Sequence, residues 1–89
     1  MANLTHEQCK ELKEWGLDSK IPTVTEMIEF AYKLAEPIIE TCTICICFDG
    51  ITHSAVAWER VSDVYYDEGN SFEEALFELI EEIVEASNG

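Results

Sequence analysis

The chain's 89 residues suffice for one small domain, and 47% apolar residues with 10% aromatics mark a folded core and exclude a disordered tail. Nineteen acidic residues against five basic ones leave a formal charge of −14, a field that repels nucleic acid and anionic membrane and favours a basic partner. The longest apolar run, Ile44 to Phe48, is far short of the roughly 20 residues a membrane span needs.

Taken in chain order, the first element opens at Thr5-His6-Glu7-Gln8. This is the capping-box pattern, in which a hydroxyl and a Glu or Gln three residues later satisfy two free backbone N–H groups reciprocally. A helix is predicted from His6 to about Trp15, with Gly16 at the left-handed position just past its end. Thr23-Val24-Thr25-Glu26 repeats the signature, and Val24, Met27, Ile28, Ala31, Leu34 and Ala35 follow the spacing of a core-facing stripe. This second helix is predicted to stop near Glu36, because Pro37 disfavours helical geometry in the residue before it.

Beyond Pro37 the apolar period changes from that of a helix to that of a strand. Thr41 to Phe48 is rich in β-branched residues, Asp49-Gly50 is a favoured two-residue hairpin turn, and Ile51 to Trp58 or Arg60 reads as the returning strand. That register pairs Phe48 with Ile51, Ile46 with His53, Ile44 with Ala55 and Cys42 with Ala57, and turns this set toward the helices. The other face then shows Thr41, Thr43, Cys45, Cys47, Thr52, Ser54, Val56 and Trp58. A one-residue bulge would exchange the faces of one strand. Val64-Tyr65-Tyr66 is predicted as a short third strand, and Asp67-Glu68-Gly69-Asn70 as a turn. A third capping box, Ser71-Phe72-Glu73-Glu74, starts a helix to Ala86 with Phe72, Leu76, Leu79, Ile80 and Ile83 on one side. The expected fold is α+β in the order ααβββα: a three-stranded antiparallel sheet with helices packed on one face, in a single domain over residues 1–89.

Cys42, Cys45, Cys47 and His53 surround one hairpin, and His6 and Cys9 sit one helical turn apart. Structural zinc needs four converging ligands, whereas a strand sends Cys42 to one face and Cys45 and Cys47 to the other. A cysteine nucleophile needs a basic neighbour, and the surroundings are acidic. A glycosidase-like carboxylate pair needs one acid in an apolar pocket, which solvated glutamates on a helix do not supply. No metal, no cofactor and no catalytic residue is therefore expected. The first residues, Met1 to Thr5, lack the basic and apolar stretches of an export signal, so a cytoplasmic chain with free thiols is expected.

Charge is unevenly spread. Lys10, Lys13, Lys20, Lys33 and Arg60 all precede Val61, and from there to the end the chain holds only acids. Asp63, Asp67, Glu68, Glu74, Glu78, Glu81 and Glu82 are the first candidate partner-binding set, an array of carboxylates where a nucleic acid would present phosphates. Solubility alone is the competing explanation for such charge. Thr43, Cys45, Val56 and Trp58 are the second set, an apolar patch on the open sheet face fit for a partner or a second copy.

Residues Leu4 to Leu17, followed by Pro22 to Ile28, resemble the start of a group of short phage and prophage proteins, and Ser71 to Ile80 resembles their closing Ser/Thr-x-Glu-Glu-Ala helix. Cys9 stands where alanine is usual in that group. The resemblance implies a phage setting, hence the cytoplasm of a bacterial host, and no defined activity. The last forty-five residues resemble the β-β-β-α half of HicB-type antitoxins, which end in a similar Glu-Glu-Ala helix; the two leading helices do not fit that pattern, and the likeness is one of fold. The expectation is a non-enzymatic protein that binds a protein with a basic surface and no nucleic acid or membrane directly. In its sharper form it inhibits a host defence or DNA-processing enzyme by imitating nucleic acid. The alternative is an antitoxin-like or regulatory module that dimerises through its open sheet face.

Overall fold

Three helices and three strands follow one another in a computed structural model that describes residues 4–60 and 62–88. They are α1 (His6–Trp15), α2 (Val24–Ala35), β1 (Cys42–Phe48), β2 (His53–Glu59), β3 (Ser62–Gly69) and α3 (Phe72–Asn88). The sheet is antiparallel with spatial order β1-β2-β3, so the fold is α+β with the expected element order.

The first two capping boxes are complete. At α1 the Gln8 N–H donates to Thr5 Oγ1 at 3.1 Å and the Thr5 N–H donates to Gln8 Oε1 at 2.9 Å. At α2 the Glu26 N–H donates to Thr23 Oγ1 at 3.2 Å and the Thr23 N–H returns to Glu26 Oε1 at 3.1 Å. That returning bond holds the Glu26 carboxyl below its ordinary range. The third box is only half formed. Ser71 Oγ accepts the Glu74 N–H at 3.2 Å, but Glu74 Oε2 accepts from the Asn70 N–H, one residue earlier than the pattern predicts. Gly16 ends α1 at φ 124, donating to Leu12 and Lys13 carbonyls, while the Leu17 N–H closes onto Leu12 at 2.8 Å. Helix α2 stops at Ala35, and the chain turns through Ile38 and Ile39 N–H bonds to the Ala35 carbonyl.

One apolar core joins these elements. Met27, Phe30, Ala31 and Ala35 of α2 and Ala75, Leu76, Phe77, Leu79, Ile80 and Ile83 of α3 are buried together with Leu12, Ile39, Ile44, Ala55 and Ala57. Helices α2 and α3 cover one face of the sheet, and α1 packs against α3 and not against the strands. Trp15 stacks on Phe77 with ring centroids 5.5 Å apart. On β2 the residues beneath the helices are small, with Ala55 and Ala57 fully buried.

The hairpin differs from expectation by two residues. Phe48 pairs with His53, Ile46 with Ala55, Ile44 with Ala57 and Cys42 with Glu59, so Asp49–Thr52 form a four-residue connection and not a two-residue turn. The cause is the Asp49 side chain, which accepts the Ile51 N–H at 2.9 Å and the Thr52 N–H at 2.7 Å and so organises a wider loop. These bonds, Thr52 first, hold the Asp49 carboxyl below its ordinary range. Because the strand period is two, a two-residue slip keeps the strand side chains on their expected faces, but Ile51, expected opposite Phe48 on the helix-covered face, falls in the loop and is exposed. Thr41 and Thr52, expected in the strands of the open face, lie just outside them.

Strand β3 is longer than the predicted Val64–Tyr66 and includes Asp67, Glu68 and Gly69, which the sequence pattern assigns to a turn. Pairing with β2 overrides their poor strand propensity: Ala55 lies opposite Asp67, Ser54 opposite Glu68 and His53 opposite Gly69. A bulge between the Ala57–Tyr65 and Trp58–Asp63 pairs leaves Val64 as the extra residue, and Val64 and Tyr65 both pack on the core. Gly69 is required where β3 meets α3. A Cβ there would lie 2.7 Å from the Ala75 nitrogen and 2.7 Å from Glu74 Cβ.

Candidate functional site

The alternation of β3 splits the expected acidic set between the two sides of the sheet. Asp63 pairs with Trp58 and Glu68 with Ser54, both on the open side, whereas Asp67 pairs with Ala55 on the helix-covered side. Glu78, Glu81 and Glu82 lie half-buried on α3. Glu74 is occupied in capping α3 through its bond from Asn70. The structure thus brings Asp67 together with Glu78, Glu81 and Glu82, and separates Asp63, Glu68 and Glu74 from them.

Asp67 and Glu82 form the tightest part of that group. Asp67 Oδ2 and Glu82 Oε2 are both buried and find no donor. Two ionised carboxylates have only acceptors to offer each other, and a single proton between them satisfies both oxygens. Burial, then the bond to Glu82, then repulsion from Glu82, Glu78 and Glu81 push the Asp67 carboxyl up to about 7. At neutral pH Asp67 therefore spends much of its time as the donor. Glu81 is raised as well, by burial first and then by Glu78, Glu11 and Glu85. Glu11, from α1, and Glu85 join this acidic flank of α3; the candidate set omits both, although the helical spacing of Glu81 and Glu85 was readable.

Little counter-charge answers these acids. Among the described residues the one ion pair is Lys13 with Asp18 at 4.0 Å, both well exposed. Lys10, Lys13 and Lys20 line a separate open hollow with His6 and Cys9.

The open face of the sheet is an ordered grid. Thr43, Trp58 and Asp63 form one row, Cys45, Val56 and Tyr66 the next, and Cys47, Ser54 and Glu68 the third. Val56 is 6% exposed at the centre, Trp58 is half-buried, and Thr43, Cys45, Cys47 and Tyr66 are exposed. Tyr66 donates its hydroxyl to Glu68 Oε1 at 3.0 Å. Cys45, Cys47, Ser54, Val56, Trp58, Asp63 and Tyr66 line an open groove of about 570 Å³, which Asp49 and Thr52 of the adjoining loop also border. All four residues expected on this patch, Thr43, Cys45, Val56 and Trp58, share the face. Tyr66 is the member the sequence analysis missed; its alternation with core-packed Tyr65 was the available signal.

All four cysteines are free. Cys42 lies half-buried near Glu59, and burial, then the Glu59 and Cys45 charges, push its thiol up. His53 is held between Phe48, stacked at 4.4 Å, and Phe72, edge-on at 4.7 Å. Among the described residues no group of three or more His, Cys, Asp or Glu is disposed to hold a metal ion, and no helix is long and apolar enough to cross a membrane. On the edge of β1 the Tyr32 hydroxyl accepts the Ile44 N–H at 2.9 Å, which takes up one of the backbone donors that edge would offer another strand.

Compared with family models, with curated proteins and with solved structures, the chain finds no match.

Proposed function

We propose that this chain is a non-enzymatic protein of phage type that binds a basic protein partner through its unneutralised carboxylates. The observation that carries the reading is the contrast between a formal charge of −14 and a single exposed ion pair among the described residues. Glu78, Glu81 and Glu85 on α3, with Glu11 from α1, repel one another in the free protein, and a basic cleft relieves that repulsion on binding. In its sharper form the partner is a host defence or DNA-processing enzyme, and the carboxylates take the place of phosphates in its nucleic-acid channel. A second reading, a regulatory module working through the open sheet face, is favoured by the groove over Val56, Trp58 and Tyr66.

Charge reversal on α3 separates the two readings: a contact through the α3 carboxylates weakens steeply with ionic strength and is lost when they are reversed, whereas a contact through the sheet face survives the reversal. The test is affinity capture from bacterial lysate at low and high salt and with competing DNA, with captured proteins identified by mass spectrometry. The comparison variant is Glu78→Lys with Glu81→Lys and Glu85→Lys; Glu74 and Glu82 are left alone because they cap α3 and pair with Asp67. Capture of a nucleic-acid enzyme, lost to salt, to DNA and to the triple reversal, supports the electrostatic reading. A partner that the triple reversal still binds sinks it.

A further inference from the structure

We propose that the open sheet face docks a segment of a protein partner that carries an arginine beside a large apolar side chain. This rests on the reading of the chain as a protein-binding protein, and adds the surface and the chemistry of what it holds. The two halves of the face ask for different things. Over β1 and β2, Cys45 and Trp58 flank Val56, which is nearly closed off at the floor, so an apolar side chain laid there completes a dry contact. Over β3, Tyr66 stands 51% exposed between Asp63 and Glu68.

A cation is drawn to the face of an aromatic ring, and a planar guanidinium stacks on it while its N–H groups reach carboxylates at the rim. Lysine feels the same charges but cannot stack or donate as a fork, so arginine fits this half better. Among the described residues no basic side chain lines the groove, and the positive charge has to come from the occupant. A second copy of the chain is the poorer occupant. Two-fold pairing of this face gathers Asp63 and Glu68 of both copies into one interface, in chains of formal charge −14.

The test is a display selection of random peptides on the full chain, followed by fluorescence anisotropy with the enriched peptides as labelled probes. Peptides with arginine next to Trp, Phe, Leu or Met are expected. Their affinity is expected to fall about tenfold, or about 1.4 kcal/mol, with Tyr66→Ala or with Cys45→Arg, both at exposed positions and each checked by circular dichroism for folding. Replacing the peptide arginine by lysine weakens binding several-fold, while the triple reversal at Glu78, Glu81 and Glu85 changes it little. Peptides that bind but lose affinity only in the triple reversal overturn the sheet-face site and leave the protein-binding reading standing. Peptides enriched without arginine overturn the proposed chemistry. A chain that enriches no peptide and sediments as a dimer disrupted by Cys45→Arg makes the second copy the occupant, and a monomer that enriches none overturns the sheet-face site, while the lysate capture and its triple reversal decide the protein-binding reading separately.

Discussion

On the helix-covered side of the sheet Asp67 lies against Glu82 of α3, holding a proton to about pH 7. One residue later, on the open side, Glu68 is exposed and accepts the Tyr66 hydroxyl. Both are strand carboxylates in the same acidic stretch, and only the period of two and the covering helix distinguish them. The difference teaches that formal charge overstates what the chain can show a partner. Asp67 is partly neutralised in its pair, and Glu74 is committed to the start of α3. The acids free to act are those on the outer flank of α3 and those on the open sheet face.

The comparison can be broken most forcefully through the covered side. Leu79→Ala empties a fully buried position of α3 and is expected to cost about 3 kcal/mol, read as the shift in a chemical denaturation midpoint. On the open side Val56→Ala removes a side chain that helices do not cover and is expected to cost about 1 kcal/mol. Equal losses would mean that the open face carries as much of the fold as the core. Gly69→Ala comes next, at about 2 kcal/mol, since its methyl would meet the Ala75 nitrogen. A melting temperature lower by about 10 °C would report it.

Asp67→Asn sharpens the comparison through pH. The folded chain keeps the Asp67 proton to about pH 7, while an ordinary aspartate releases it near 3.8. Between those values the native state binds more protons, so stability falls as pH rises through the window and levels off above it. The asparagine variant is expected to lose that slope and to gain about 1 kcal/mol at pH 8, a fraction of the full linkage because the pair is partly in water. Urea midpoints for both proteins from pH 4 to pH 8 check this, and parallel curves would exclude the shared proton. The smallest effect belongs to Glu68→Gln, whose melting curve is expected to overlay the parent's at both ends of that range. A loss of the pH slope in Glu68→Gln would invert the assignment of the two carboxylates.

Much of this architecture was legible in the chain itself. Capping boxes at Thr5 and Thr23, the Gly16 stop and the stripe through Met27, Ala31 and Ala35 are local signals, and local backbone chemistry settles them. The alternation through Ile44, Cys45, Ile46 and Cys47 likewise determined which side chains share a face, even though the hairpin closed two residues away from the expected turn. What tertiary structure decided was the rest of β3. Asp67, Glu68 and Gly69 have turn-like composition, and only the unsatisfied backbone of β2 draws them into the sheet. That pairing, with the bulge at Val64, turned Asp67 inward toward Glu82 and brought Tyr66 and Glu68 out beside Val56. Local alternation separates Tyr65 from Tyr66 and Asp67 from Glu68, but which of each pair faces the helices depends on the partner strand, the bulge and the helix that stand on either side.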